Sequence, residues 1–306
     1  MQKGSVLVFG SINVDLIAHA DPARQKDNYV VGTGFTTNSG GKGLNTAMGC
    51  AAFNSSRVHM LGRVGLDIYG QFIIGVIEQA GLSAKYVIRD SKAHTGIGHL
   101  RVAPDGEYDT VVVQGANDNL CGEDFDSYLA ENSAPAFVIT NLETPLAAIR
   151  HIAERSQDTS LAINVSPMVE GAKDAIALAN LAVLNLSEAK TLMGIDRDLQ
   201  PRELLQQLRE VTNAVIVMTL GERGAIAIDS KDEIFEVEGL PVKAINTVGA
   251  GDSFFAALIM ALSLGASLPQ ALEAGNQAGR FACLRSESHL SLSDAEAIRV
   301  STGLNF

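Results

Sequence analysis

Phe137-Val138-Ile139-Thr140, Leu161-Ala162-Ile163-Asn164, Leu181-Ala182-Val183-Leu184 and Ala214-Val215-Ile216-Val217-Met218 are four short, mainly apolar runs, each with a β-branched residue at its centre. Longer stretches of helical pattern, near 145–156, 187–193 and 201–211, fall between them. Upstream, Ser5-Val6-Leu7-Val8-Phe9 is a fifth such run, followed by helical patterns near 44–54 and 69–80. Repeated strand–helix–strand order predicts a mainly parallel central sheet covered by helices on both faces, a three-layer α/β/α sandwich. Ligands of such sheets gather beyond the carboxyl ends of the strands.

Two segments break the alternation, 16–38 and 94–115. Within the second, Thr95-Gly96-Ile97-Gly98-His99-Leu100-Arg101-Val102 and Tyr108-Asp109-Thr110-Val111-Val112-Val113 read as antiparallel strands. They predict a small β lid inserted in an α/β body made of 1–15, 39–93 and 116–306. Closing such a lid over a substrate excludes water, and its exposed edge offers a way to pair two subunits into a homodimer.

The chain has 306 residues, room for a large core with an attachment or for two domains, and a net charge of −12. That charge repels phosphate backbones and anionic lipid, which argues against nucleic acid and membrane surfaces as partners. The apolar run Phe254 to Ala266 is shorter than the ~20 residues of a membrane span. Cys50, Cys121 and Cys283 show no metal-ligand or redox spacing. These features predict a soluble cytoplasmic protein.

Thr247-Val248-Gly249-Ala250-Gly251-Asp252-Ser253 leads directly into the helical pattern Phe254–Leu262. The glycines thus sit at a helix N-terminus, where free N–H groups and the helix dipole favour an anion. Asp252 is out of place there unless it caps the helix or takes a proton from an attacking hydroxyl while the Gly249, Ala250 and Gly251 amides stabilise a transferring phosphoryl group. Near the N-terminus, Asn13 and Asp15 lie two apart after the first strand, on one side of an extended chain, and offer a donor and acceptors to vicinal hydroxyls. Ser39-Gly40-Gly41-Lys42-Gly43-Leu44-Asn45 opens another helix but fits neither a P-loop nor a dinucleotide fingerprint.

Gly40-Gly41-Lys42-Gly43-x-Asn45 together with Asn246-Thr247-x-Gly249-Ala250-Gly251-Asp252 resembles the paired signatures of the ribokinase-like (PfkB) carbohydrate kinase family. Asn141-Leu142-Glu143-Thr144-Pro145, Asn164-Val165-Ser166-Pro167, Asn185-Leu186-Ser187-Glu188 and Thr219-Leu220-Gly221-Glu222-Arg223-Gly224 look like its intermediate motifs. The resemblance implies the ribokinase-like fold and an ATP-dependent transfer to a primary hydroxyl of a ribose-like sugar. It implies Asp252 as the base and Gly249, Ala250 and Gly251 as the anion hole. It places Asn13, Asp15, Gly41, Lys42, Asn45 and Glu143 on the sugar, and Asn185, Thr219, Gly221, Gly224 and Asn276 on the nucleotide. Glu188, through water, is implied for Mg²⁺. Two departures, Asn246 in place of Asp and Ser286-Glu287-Ser288-His289-Leu290 in place of a Gly-Ala segment, predict weak or absent K⁺ activation. A nucleoside kinase or other sugar kinase of the same fold, and a non-catalytic sugar or nucleotide sensor, are the competing functions.

Overall fold

In the computed structural model, residues 4–21, 27, 29–103, 108–155, 158–245, 247–285 and 290–304 are described. The strands, in chain order, are β1 (Val6–Phe9), β2 (Asn13–Ala20), β3 (Gly32–Gly40), β4 (Val58–Gly65), β5 (Val87–Asp90), β6 (Gly96–Val102), β7 (Tyr108–Val113), β8 (Phe137–Asn141), β9 (Ser160–Asn164), β10 (Leu181–Asn185), β11 (Val215–Thr219), β12 (Gly224–Ile228) and β13 (Ile234–Glu238). The helices are α1 (Lys42–Asn54), α2 (Ile68–Gln79), α3 (Gly122–Glu131), α4 (Leu146–Arg155), α5 (Ala172–Leu178), α6 (Leu186–Met193), α7 (Pro201–Arg209), α8 (Ala250–Ser263), α9 (Leu268–Cys283) and α10 (Leu292–Thr302).

Among the described residues, nine strands form one sheet in the order β13-β12-β11-β10-β9-β8-β1-β4-β5. Pairing is parallel from β11 through β5, and β12 and β13 add an antiparallel edge. Side-chain alternation along each strand decides the layers. Val6 and Val8 pack in one core with Leu44 of α1, Ile73 of α2, Phe255 of α8, Ala274 of α9 and Ile298 of α10. Leu7 and Phe9 pack in the other with Phe125 of α3, Ile149 of α4, Ile176 of α5, Leu192 of α6 and Leu205 of α7. Both faces of the sheet are therefore covered, and the three-layer α/β/α expectation holds.

The chain proceeds outward from β1 to β4 and β5, then returns to β8 on the other side of β1. This reversal leaves a crevice beyond the carboxyl ends of β1 and β8. Gly10–Ile12 and Asn141–Glu143 emerge there.

A separate four-stranded sheet, β3-β2-β6-β7, grows from this point. β2 pairs antiparallel with β3 and parallel with β6, and β6 pairs antiparallel with β7 as the sequence suggests. Its ends reach further into the body than 16–38: β2 begins at Asn13 and β3 runs to Gly40, where α1 begins across Gly41. Gly32 to Asn38 are exposed along β3. Of the lid segments, 22–26, 28 and 104–107 lie outside the described residues, as do Asn246 and 286–289, on which the K⁺ expectation turns.

Candidate active site

Helix α8 starts where Gly249 adopts a left-handed conformation, φ 78°, a region a side chain disfavours. Ser253 N donates to Gly249 O at 2.8 Å, closing the first turn, and Ala250 N makes a longer 3.3 Å bond to Thr247 O. The amides of Gly251 and Asp252, inside that first turn, have no intrahelical acceptor. They are freer than that of Ala250 to meet an anion.

Asp252 stands in this turn and is 4% exposed. It does not cap the helix. Asn45 Nδ2, from α1, donates to its Oδ2 at 3.2 Å, and Asn164 Nδ2, from the end of β9, donates to Oδ1 at 3.2 Å. Each oxygen is thus held by an amide from a different element. Burial pushes the Asp252 carboxyl up from its ordinary range, opposed by the Lys42 charge and the Asn45 hydrogen bond, while Glu143 and Glu188 push it further up. A desolvated carboxylate with elevated proton affinity, next to unpartnered amides, suits a general base.

Lys42 and Asp252 line a cavity of about 400 Å³ with Asn164, Asn185, Glu188, Thr219, Gly249 and Gly251. A second, apolar cavity of about 220 Å³ adjoins it, lined by Leu240, Val242, Ala244, Phe254 and Cys283 together with Gly221, Gly224, Ala250 and Asn276. Thr219, Thr247 and Gly251 face both cavities. The arrangement is a cleft with a polar end at Asp252 and an apolar end between β12 and α9. Asn276 spends one amide bond on the fold, donating to Glu238 O at 2.7 Å.

Asn185 and Glu188 line the polar end through a reciprocal cap of α6. Asn185 Oδ1 accepts from Glu188 N at 2.8 Å, and Glu188 Oε2 accepts from Asn185 N at 2.7 Å. The pairing that singles out these two residues in the sequence therefore has a structural cause of its own. It also fixes a carboxylate on the cavity wall. Among the described residues, no group of three or more His, Cys, Asp or Glu side chains forms a metal cage. One carboxylate plus phosphate oxygens and water suits Mg²⁺, which keeps several waters.

The remaining predicted residues, Asn13, Asp15, Gly41, Asn45 and Glu143, line neither cavity. Glu143 Oε2 accepts from Ser11 Oγ at 2.5 Å and from Lys42 N at 3.0 Å, so it ties the β8 end to the start of α1. Gly41, with φ 89°, sits where a Cβ would come within 2.8 Å of Asn13 N. Asp15 extends over two positions without side chains: a Cβ on Gly40 would lie 2.3 Å from its carboxylate, and one on Gly98 would lie 2.4 Å from Oδ1. Burial, and then Glu143, raise the Asp15 carboxyl to about 6. Asn13, Asp15, Lys42, Asn45, Glu143 and Asp252 are brought into one neighbourhood, linked through Asn45–Asp252 and Glu143–Lys42.

Sequence inspection missed Ser11, Asn117 and Asn164 as side chains of the site. Asn164 stands in a quoted motif but carries no signal of its own partner. Its place at the end of a central strand is what brings it to Asp252.

Residues 3–295 match the family model described as pfkB family carbohydrate kinase. The chain is 28% identical over 276 residues to a ribokinase of Bacillus subtilis, covering 90% of this chain and 91% of that one. It is 28% identical over 254 residues to a deoxyribokinase of Salmonella typhi, covering 81% and 82%. The structure of Arabidopsis thaliana ribokinase complexed with ribose and ATP superposes with a TM-score of 0.85 at 20% identity, over 97% of this chain and 99% of that one. With a family match running almost from end to end and the same three-layer fold, the chain belongs to the pfkB family of carbohydrate kinases, phosphotransferases that act on an alcohol.

Proposed function

We propose that this kinase transfers the γ-phosphoryl group of ATP to a primary hydroxyl of a ribose-like sugar, with Asp252 as general base. The observation that carries this is the setting of Asp252: buried, held by Asn45 on one oxygen and Asn164 on the other, beside Lys42, and at the head of α8. A carboxylate placed there only for stability would cap the helix, and this one does not. The sugar lies on the lid side, held by Asn13, Asp15, Gly41, Lys42, Asn45 and Glu143, with its hydroxyl directed at Asp252. ATP lies along the cleft, its base in the apolar cavity near Gly221, Gly224 and Asn276, its phosphates toward Asn185, Thr219 and the Gly249-Ala250-Gly251 turn.

Asp252 accepts the hydroxyl proton as the oxygen attacks the γ-phosphorus in line, and the phosphorus–oxygen bond to ADP breaks. The α8 amides and dipole stabilise the charge on the transferred group. Mg²⁺ supplies charge neutralisation at the phosphates when bound, and Glu188 with Asn185 would hold it through water. The ribokinase and deoxyribokinase relatives, and the ribose and ATP in the Arabidopsis structure, support this assignment of substrates.

ATP turnover against D-ribose, 2-deoxyribose, fructose, sugar phosphates and nucleosides tests it. Sugar-dependent ADP formation is expected, and ATP consumption indifferent to every sugar would overturn it. Adding K⁺ should raise the rate little, and a many-fold rise would remove that part of the proposal. We place the enzyme in the cytoplasm, where Cys50, Cys121 and Cys283 stay free thiols, and infer a homodimer formed through the small sheet.

A further inference from the structure

Asn117 carries no catalytic signal in the sequence, yet it is 1% exposed and sits in the turn that follows β7. Its Oδ1 accepts from Ile12 N at 2.8 Å, and its Nδ2 donates to Ile12 O at 3.2 Å. This two-way pairing with the backbone N–H and C=O of one residue allows a single orientation of the amide, because an N–H can only donate and a C=O can only accept. The same Nδ2 donates to Asn13 Oδ1 at 2.7 Å. The orientation of Asn13 follows. Its carbonyl oxygen is turned inward to Asn117, and its Nδ2 is the atom left for a ligand.

Gly96 makes the contact possible. A Cβ there would stand 2.2 Å from Asn13 Oδ1 and 2.4 Å from Asn117 Nδ2. The turn carrying Asn117 is itself fixed, with Ala116 N donating to His94 O at 2.8 Å and Asn117 N to Gln114 O at 3.0 Å. One buried amide from the exit of β7 therefore bonds Ile12 and Asn13 at the start of β2, close against the first residue of β6.

We propose that Asn117 is a positioning residue that sets the hydrogen-bond polarity of the sugar site, passing the polarity fixed by the Ile12 N–H and C=O to Asn13 so that Asn13 meets the substrate as a donor. This rests on the assignment of Asn13 to the sugar. Beside it, Asp15 presents only acceptors when ionised. The two residues then offer a donor and an acceptor in fixed order along β2, which selects the direction in which adjacent hydroxyls of the acceptor are read.

The test is Asn117→Asp, which keeps the shape and the acceptor for Ile12 N but removes the donor. Asn13 can satisfy the new carboxylate only by turning its Nδ2 inward, which inverts what the ligand meets. With D-ribose and 2-deoxy-D-ribose as probes, KM and the calorimetric Kd for sugar should rise about tenfold or more, as expected for a mismatched buried polar contact. KM for ATP should stay within about twofold, since no nucleotide contact changes. In an Asn13→Ala background, Asn117→Asp should add no further loss of sugar affinity, because its effect passes through Asn13. A parallel rise in both KM values, or full additivity, would show a merely structural role. If N117D does not fold, Asn13→Asp leaves all of Asn117's bonds in place and presents an acceptor to the sugar. Unchanged sugar affinity in N13D would overturn the proposal. A wild type that neither binds nor phosphorylates either sugar overturns the assignment of the site and this inference with it, whereas a normal wild type with an unaltered N117D overturns the inference alone.

Discussion

Asp15 and Asp252 are both carboxylates raised by burial, but their surroundings give them different work. Asp252 has one amide on each oxygen and Lys42 nearby, which in the proposed reaction poises it to take a proton. Asp252→Asn should lower turnover by about 10²-fold or more with sugar affinity nearly unchanged, by the usual size of a general-base effect. Its new amide must also face Asn45 or Asn164 donor to donor, so thermal unfolding of the same variant should show a loss of about 1–3 kcal/mol. Asp15, raised to about 6 from 3.8, gives a pH dependence. Because folding raises this pKa, ionised Asp15 opposes folding above about 6, and that cost fades as pH falls through 6 toward 3.8. Sugar binding runs the other way, since protonation removes an acceptor. KM for sugar should rise as pH falls through about 6, and Asp15→Asn should flatten the profile. The glycine-framed Lys42 and Asp252 were legible because unusual neighbours mark them. Asn117 and Asn164 were not, because a single asparagine is ordinary in sequence and gains meaning only from the peptide or carboxylate that the fold sets against it.

At the scale of elements, two helix starts line the polar end of the cleft where the proposed reaction puts the phosphates, and each would serve stability and function together. Gly251 has helical backbone and no neighbour within 4 Å of a built Cβ, and it faces both cavities. Gly251→Ala should therefore stabilise α8 by about 0.5–1 kcal/mol through helix propensity, while its methyl group intrudes on the nucleotide and raises KM for ATP. Calorimetry and kinetics on one variant check both signs. In α6, Glu188→Gln preserves the reciprocal cap, which accepts glutamine as well as glutamate, and removes the charge. Stability should hold while the Mg²⁺ concentration for half-maximal rate rises about 10-fold or more, the usual cost of losing an outer-shell partner. The helices near 44–54, 69–80, 145–156, 187–193 and 201–211 were readable from periodicity, and each is found within about three residues. Strand β4 was not, because His59, Gly62 and Arg63 interrupt its apolar run. Arg63 is there to pair with Asp90 and Asp124 at 3.2 and 2.7 Å, partners that only the tertiary fold supplies.

For the whole molecule, the small sheet poses the largest physical problem, because among the described residues β3 and β7 are exposed along most of their length and each pairs with a strand on one side only. Register separates its two faces. Asp15 pairs with Gly98 and Gly98 with Val112, so Val112 shares the face that holds the proposed sugar ligands. Val111 pairs with His99 and Phe35 with Ala18, which places both on the opposite face, with Val113 two residues on from Val111. On that outer face Phe35 is 63%, Val111 62% and Val113 44% exposed, an apolar strip that a second copy of the sheet would cover. Sedimentation should find a dimer of the wild type, and Val111→Asp should shift it toward monomer because burying an unpaired carboxylate in such a contact is costly. Val112→Asp should leave association intact and raise sugar KM, since its charge lands beside Asp15. A monomeric wild type removes the dimer, and loss of association in V112D but not V111D would mean that the two copies meet through the sugar face instead.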